Sequence, residues 1–182
     1  GGISFAGIAK ASDENSLRNS RLKMVTNDVG GLKQKTFAAA QSSGADYGAQ
    51  LDSIAKLKML TNGLFNDNEA VKFTSTLDKA FKVSGTSAEE AKSAMFQLNQ
   101  AMTSGKLQGD EFRSVMENAP ILAQKIAESM GVSMGELKKL GSEGKITSDV
   151  IKNAVLGSAS EIESKYKDMP LTFGKVWQQA QN

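Results

Sequence analysis

Apolar residues along most of this chain recur at spacings of three and four, which places them on one side of an α-helix. The clearest case is 87–103, where Ala88, Ala91, Met95, Leu98 and Met102 line one face. Thr86 stands before it and Glu89 three residues on. That is the spacing of a capping box, in which hydroxyl and carboxylate satisfy N–H groups that a helix start leaves unpaired. The preceding segment 67–83 carries Ala70, Phe73, Leu77 and Phe81 on one stripe, and the two helices are expected to form an antiparallel pair. Further helices are expected over 109–117, 120–130, 134–140 and 148–167, the last with Gly157 as its candidate breaking point. Pro120 suits a first turn, where its missing N–H costs nothing. Glycines 30, 31, 63, 85, 105, 131, 144 and 157 interrupt the pattern and are read as turn markers, since glycine enters the left-handed conformation without penalty. Residues 1–15 show no sustained period and hold four glycines or serines in the first seven positions, so they read as a flexible arm or linker. The helical domain is expected over 16–182.

A weak internal echo overlies this pattern. Gly105-Lys106-Leu107-x-x-Asp110 recurs as Gly144-Lys145-Ile146-x-x-Asp149, 39 residues later. A duplicated binding loop is one reading of it. The other is a helix stop, one buried anchor and a fresh helix start, with the two loops pairing through a single β-bridge and Leu107 and Ile146 plugging the core. Leu107, Ile146, Thr86 and Glu89 are therefore the candidate structural residues.

Composition narrows the class. A chain of 182 residues suits one domain, or one domain with an arm. Its 40% hydrophobic and 23% charged residues are enough to bury a core and too apolar for a disordered chain. Two prolines and abundant Ala, Lys, Glu, Gln, Leu and Met favour an all-α fold, a compact multi-helix domain. With 22 basic and 20 acidic residues the net charge is +2, which gives no strong field to gather nucleic acid or anionic lipid. Without cysteine or histidine there is no disulfide framework, no thiolate and none of the usual zinc ligands. No apolar run approaches the roughly 18 residues of a membrane span, and the start Gly-Gly-Ile-Ser lacks the pattern of an export leader. A start without Met and the open helical pattern from Val176 to Asn182 mark the chain as an expected fragment of a longer one.

No constellation of catalytic residues emerges. Ser-x-x-Lys, a spacing used in some acyl transfer, occurs at Ser20/Lys23, Ser53/Lys56, Ser142/Lys145 and Ser164/Lys167 without accompanying motifs. None of the three Gly-Lys pairs has the upstream glycine and following hydroxyl of a phosphate-binding loop. The acids Glu89/Glu90 and Asp110/Glu111 fall in first helical turns, where the macrodipole favours negative charge; Glu161/Glu163 form a third cluster. Asn66-Asp67-Asn68-Glu69 lacks the ligand series of a calcium loop and reads as a helix cap. The expectation is no enzyme, no cofactor, no metal and no small-molecule substrate. The strongest competing motif is Gln124-x-x-Ala127-x-x-x-Gly131-Val132-Ser133-x-x-x-Leu137-x-x-Leu140, the pattern of a DNA-binding helix-turn-helix. Its second helix offers Ser133, Met134, Glu136, Lys138 and Lys139, without arginine, asparagine or glutamine near its start to reach base edges.

The segment from Met102 to Val155 carries a more specific likeness. Ser104-Gly105-Lys106-Leu107, Gly109-Asp110-Glu111-Phe112-Arg113, Glu117-Asn118-Ala119-Pro120, Met130-Gly131-Val132 with Glu136-Leu137, and Gly144-Lys145-Ile146-Thr147 follow one another in an order that resembles the N-terminal domain of phage tail tape measure proteins. The likeness extends through Arg21-Leu22-Lys23-Met24, Phe81-Lys82-Val83-Ser84-Gly85-Thr86 and Met169-Pro170-Leu171-Thr172-Phe173-Gly174, covering most of the chain. The resemblance implies a structural module that supports tail assembly and tail length determination by association. It implies partners among other tail proteins, tail assembly chaperones or further copies of itself, and a place in the virion tail after assembly in the host cytoplasm. No specific nucleic acid and no membrane are expected to bind this segment, and a DNA-binding helix-turn-helix domain is the alternative function.

Overall fold

A computed structural model describes residues 5–169, with side chains from Asn15 onward. The chain runs α1 (Phe5–Val25), α2 (Val29–Ser43), α3 (Tyr47–Thr61), α4 (Asp67–Val83), α5 (Ala88–Ser104), β1 (Lys106–Leu107), α6 (Gly109–Asn118), α7 (Pro120–Met130), α8 (Met134–Ser142), β2 (Ile146–Thr147), α9 (Ser148–Gly157) and α10 (Ala159–Lys167). The fold is all-α, with one minimal antiparallel β pair. Helix α1 begins at Phe5, inside the stretch expected as an arm. The weak likeness noted from Pro170 onward lies outside the described residues.

Helix α4 forms the centre, packed against α2, α3, α9 and α10. It starts with a complete capping box. The Asn66 side chain accepts from the Glu69 N–H at 2.8 Å, and the Glu69 carboxylate accepts from the Asn66 N–H at 3.0 Å, an arrangement worth about 1 kcal/mol. The stripe Ala70, Phe73, Leu77 and Phe81 is buried, as the helical period requires, and Phe65 packs on Phe73 with ring centroids 4.8 Å apart.

Several local expectations need correction. Helices α4 and α5 are not a tightly packed pair: α4 lies mainly against α2 and α10, and α5 mainly against α6. Helix α5 is capped by Ser87 and not by Thr86 with Glu89. The Ser87 hydroxyl accepts from the Glu90 N–H at 3.2 Å and donates to the Glu90 carboxylate at 2.7 Å. Thr86 is buried and donates its hydroxyl to the Asn118 carbonyl, tying the start of α5 to the end of α6. One residue of register separates the two readings, because Thr86 and Ser87 are both competent caps and the tertiary contact claims Thr86. Gly30 and Gly31 lie inside the first turn of α2, which Asp28 caps, so they are not turn markers. Gly44, absent from the expected turns, ends α2 in the left-handed conformation.

The two echo loops meet. β1 and β2 pair antiparallel with Leu107 opposite Ile146, and both side chains have 0% exposure. The bridge extends by one bond, from the Ser148 N–H to the Gly105 carbonyl at 2.9 Å. The Ser148 hydroxyl donates to the Met102 carbonyl at 3.0 Å, satisfying an acceptor that the end of α5 leaves open. Gly105 and Gly144 enter the loops at φ 97° and 68°, where only glycine is unstrained. At Gly141 the constraint is close approach, since a Cβ there would lie 2.9 Å from the Phe112 ring.

Leu107→Asp or Ile146→Asp is expected to destabilise the fold by about 3 kcal/mol or more, because each places an unpaired carboxylate in a sealed apolar position. Thermal unfolding of the two variants checks this, and an unchanged melting temperature would mean that the loops are open to solvent.

Candidate functional site

The candidate acidic residues fall in first helical turns or in ion pairs. Glu89 and Glu90 lie in the first turn of α5, and Asp110 and Glu111 in that of α6. Glu161 pairs with Lys125, which also meets Glu128 at 3.0 Å. The Lys125 hydrogen bond holds Glu161 below the usual carboxylate range, whereas a general acid for glycosidic cleavage needs its pKa raised. Glu163 lies 3.6 Å from Lys79 and 3.7 Å from Lys167. Asp67 is pushed up by burial, but hydrogen bonds from Lys58 and Thr26 outweigh this and its pKa falls below the ordinary value. Among the described residues no group of acids is placed to hold a metal ion. The Ser-x-x-Lys spacings bring no described serine hydroxyl to its lysine. Ser20 donates to the Ser16 carbonyl and Ser142 to the Lys139 carbonyl, while Lys145 pairs with Glu143.

The helix-turn-helix pattern does form two helices around a tight corner. Helix α7 ends at Gly131 in the left-handed conformation, and α8 starts from a capping box of Ser133 and Glu136. Ala127 and Leu137 are buried in the corner, with Val132 packed against the core. The start of α8, which would approach a phosphate backbone, is occupied by the Glu136 carboxylate folded onto Ser133 at 3.1 Å. Lys138 and Lys139 are exposed one turn later. The corner has the helix–turn–helix order of a reading head and a carboxylate at its tip.

The two most strongly shifted groups, Asp78 and Lys82, carry no sequence motif. Asp78, Lys79 and Lys82 sit on α4 where α2, α3 and α10 close over it. The Gln50 amide of α3 donates to Asp78, Lys82 donates to the Ser43 carbonyl at the end of α2, and both lysine ammonium groups lie 5.9 Å from the Tyr166 ring of α10. Burial pushes the Asp78 carboxyl up to about 7 against the opposing pull of Lys82 and Lys79. Burial likewise brings Lys82 down to about 8, although Asp78 resists the shift. The only sequence hint was the run Thr74-Ser75-Thr76, small hydroxyls where a solvated helix face would carry longer charged side chains. The cluster joins α4 to α2, α3 and α10.

Two measurements follow. The fold favours neutral Asp78, so the native state holds this proton up to about pH 7 while an unfolded carboxylate releases it near about pH 4. Stability therefore falls as pH rises through that window and levels off above it. Lys82 acts in the other direction. The unfolded chain keeps its proton to about pH 10 and the fold releases it at about 8, so stability rises across that interval. Denaturant unfolding is expected to show a minimum between these limbs, with Asp78→Asn removing the acid limb and Lys82→Met the alkaline one. An acid limb unchanged in Asp78→Asn contradicts the assignment. The second measurement is a duplex DNA titration at low salt, expected to show at most weak binding. Sequence-selective affinity lost on altering Ser133, Met134 and Lys138 would instead establish the corner as a DNA reader.

A family model described as tape measure protein matches residues 6–182. No curated protein and no solved structure matches the chain significantly. The match spans nearly the whole sequence, so the chain belongs to the tape measure protein family, whose role is structural and whose place is the phage tail, among other tail proteins.

Proposed function

We propose that this member of the tape measure family is an assembly module, a compact folded segment of a longer chain that supports tail assembly and tail length determination by associating with its neighbours. Those neighbours are other tail proteins, tail assembly chaperones or further copies of the chain, met in the host cytoplasm while the tail is built. Compactness is the observation that carries the reading. As one continuous helix, 182 residues would extend about 270 Å at about 1.5 Å per residue. A folded domain of that size has a radius of gyration near about 16 Å. Among the described residues the longest helix has 21 residues, and glycine caps end α2, α5 and α7. A segment folded back on itself this often adds little to a measured length, so its contribution lies in contacts. No feature of the α7–α8 corner favours DNA over that role.

An in-frame deletion of residues 105–156 in the parent protein removes β1 to most of α9 and is expected to abolish or greatly reduce tail assembly. Deletions in an extended helical region beyond this segment are expected to give shorter tails at normal yield. Electron microscopy of the two mutant classes separates them. Normal yields of tails shortened in proportion to residues lost from 105–156 would make this segment part of the ruler.

A further inference from the structure

Helix α10 lies against α4 but is fastened to it differently from α9, the helix before it. Of the nine residues of α10 only Ile162 is buried, and among the described residues Ile162 stands outside the continuous apolar core. Helix α9, one residue longer, places Ile151, Ala154 and Val155 in that core. The side-chain ties of α10 are polar. Glu163 meets Lys79 at 3.6 Å, Glu161 pairs with Lys125 of α7, and the Tyr166 ring lies 5.9 Å from the Lys79 and Lys82 ammonium groups. The Glu163 and Glu161 side chains are 43% and 49% exposed, so water and salt reach both ion pairs and weaken them.

The surface beneath α10 and the joint before it fit the same pattern. On α4, Ser75, Asp78, Lys79 and Lys82 recur at i, i+3, i+4 and i+7, a polar stripe on the helix that buries Phe73, Leu77 and Phe81 elsewhere. Lifting α10 wets polar groups and one isoleucine, whereas lifting α9 opens the apolar core. At the joint, Ser158 turns its hydroxyl back onto the Ala154 carbonyl at 2.7 Å, which completes the end of α9 and leaves α10 without a side-chain cap. An uncapped helix of nine residues does not hold its shape alone, so α10 melts once it leaves α4. We propose that α10 is a strap: it comes off α4 as one unit while α1–α9 stay folded, and ionic strength sets the balance between the docked and released states. Nine residues span about 14 Å as a helix and about 30 Å extended, so release lengthens the link between α9 and the chain after Met169 about twofold.

Amide hydrogen exchange of the 182-residue chain at constant pH reads both states. The amides from Ile162 to Lys167 are expected to exchange together, at least about 100-fold faster than those in the middle of α4 and α9. Raising sodium chloride from about 20 mM to about 0.5 M is expected to speed them about threefold and leave α4 and α9 unchanged. Lys125→Gln, which keeps the sequence of α10 intact, is expected to speed them about threefold, and the double variant E161Q/E163Q about tenfold with loss of the salt effect. Both variants are expected to keep the α4 and α9 rates of the parent chain. Exchange of α10 at the rate of α4 would mean that it opens only with the whole fold, and overturns the strap. Rates graded from Lys167 back to Ile162, the mark of a fraying end, also overturn it, as do rates indifferent to salt and to both variants. A variant that speeds α4 and α9 as much as α10 makes α10 part of the core, and the proposal fails.

Discussion

Helix α4 must be covered on more than one face, and the rest of the fold answers to that requirement. Eleven of its 17 residues are buried, more than a single apolar stripe supplies, so polar groups go under with them. Each neighbour brings a partner. Helix α2 offers the Ser43 carbonyl to Lys82, and α3 offers the Gln50 amide to Asp78 and Lys58 to Asp67. Helix α9 sets Lys152 3.1 Å from Glu69 and α10 sets Glu163 3.6 Å from Lys79. Apolar burial supplies the bulk of the free energy but has no direction. The polar ties are directional, and breaking one strands a desolvated group, so they fix how far each helix can slide or rotate on α4.

This explains which parts of the architecture were legible in the sequence. The bounds of α4 and α7 follow from period and punctuation alone, because Asn66 with Glu69 and Pro120 mark starts that no tertiary contact overrides. The pairing of the echo loops was legible too, since a lone apolar residue between a glycine stop and a helix start has only the core to enter. Helix partners were not, because the stripe on α4 says that a face is buried and nothing about which helix covers it. Thr86 and Ser87 show the same limit in one turn: local grammar accepts either as the cap, and the Asn118 carbonyl decides. Gly141 gives no sequence signal, since its reason is the Phe112 ring lying against it from another helix.

The Asp78 cluster lay beyond reach for a related reason. A charge at a helical position reads as solvated unless something shows that its face is covered, and that information resides in α2, α3 and α10. Thr74, Ser75 and Thr76 carry a trace of it, being small enough for neighbouring helices to approach closely. The acidic pairs Glu89/Glu90 and Asp110/Glu111 were legible as helix starts, because a first turn favours negative charge.

The α7–α8 corner shows why geometry alone misleads in a fold of this kind. A chain that must turn back often, without disulfides and with two prolines, uses one device repeatedly: a left-handed glycine, a hydroxyl or amide cap, an acid three residues on and an apolar residue sealing the angle. Gly131, Ser133, Glu136 and Leu137 spell it here. A DNA-reading corner uses the same skeleton, but its second helix must present donors where Glu136 presents a carboxylate. Chemistry at the tip of the helix, and not the angle between the helices, therefore distinguishes a reader from a packing joint. By that criterion the α7–α8 corner carries the marks of a packing joint.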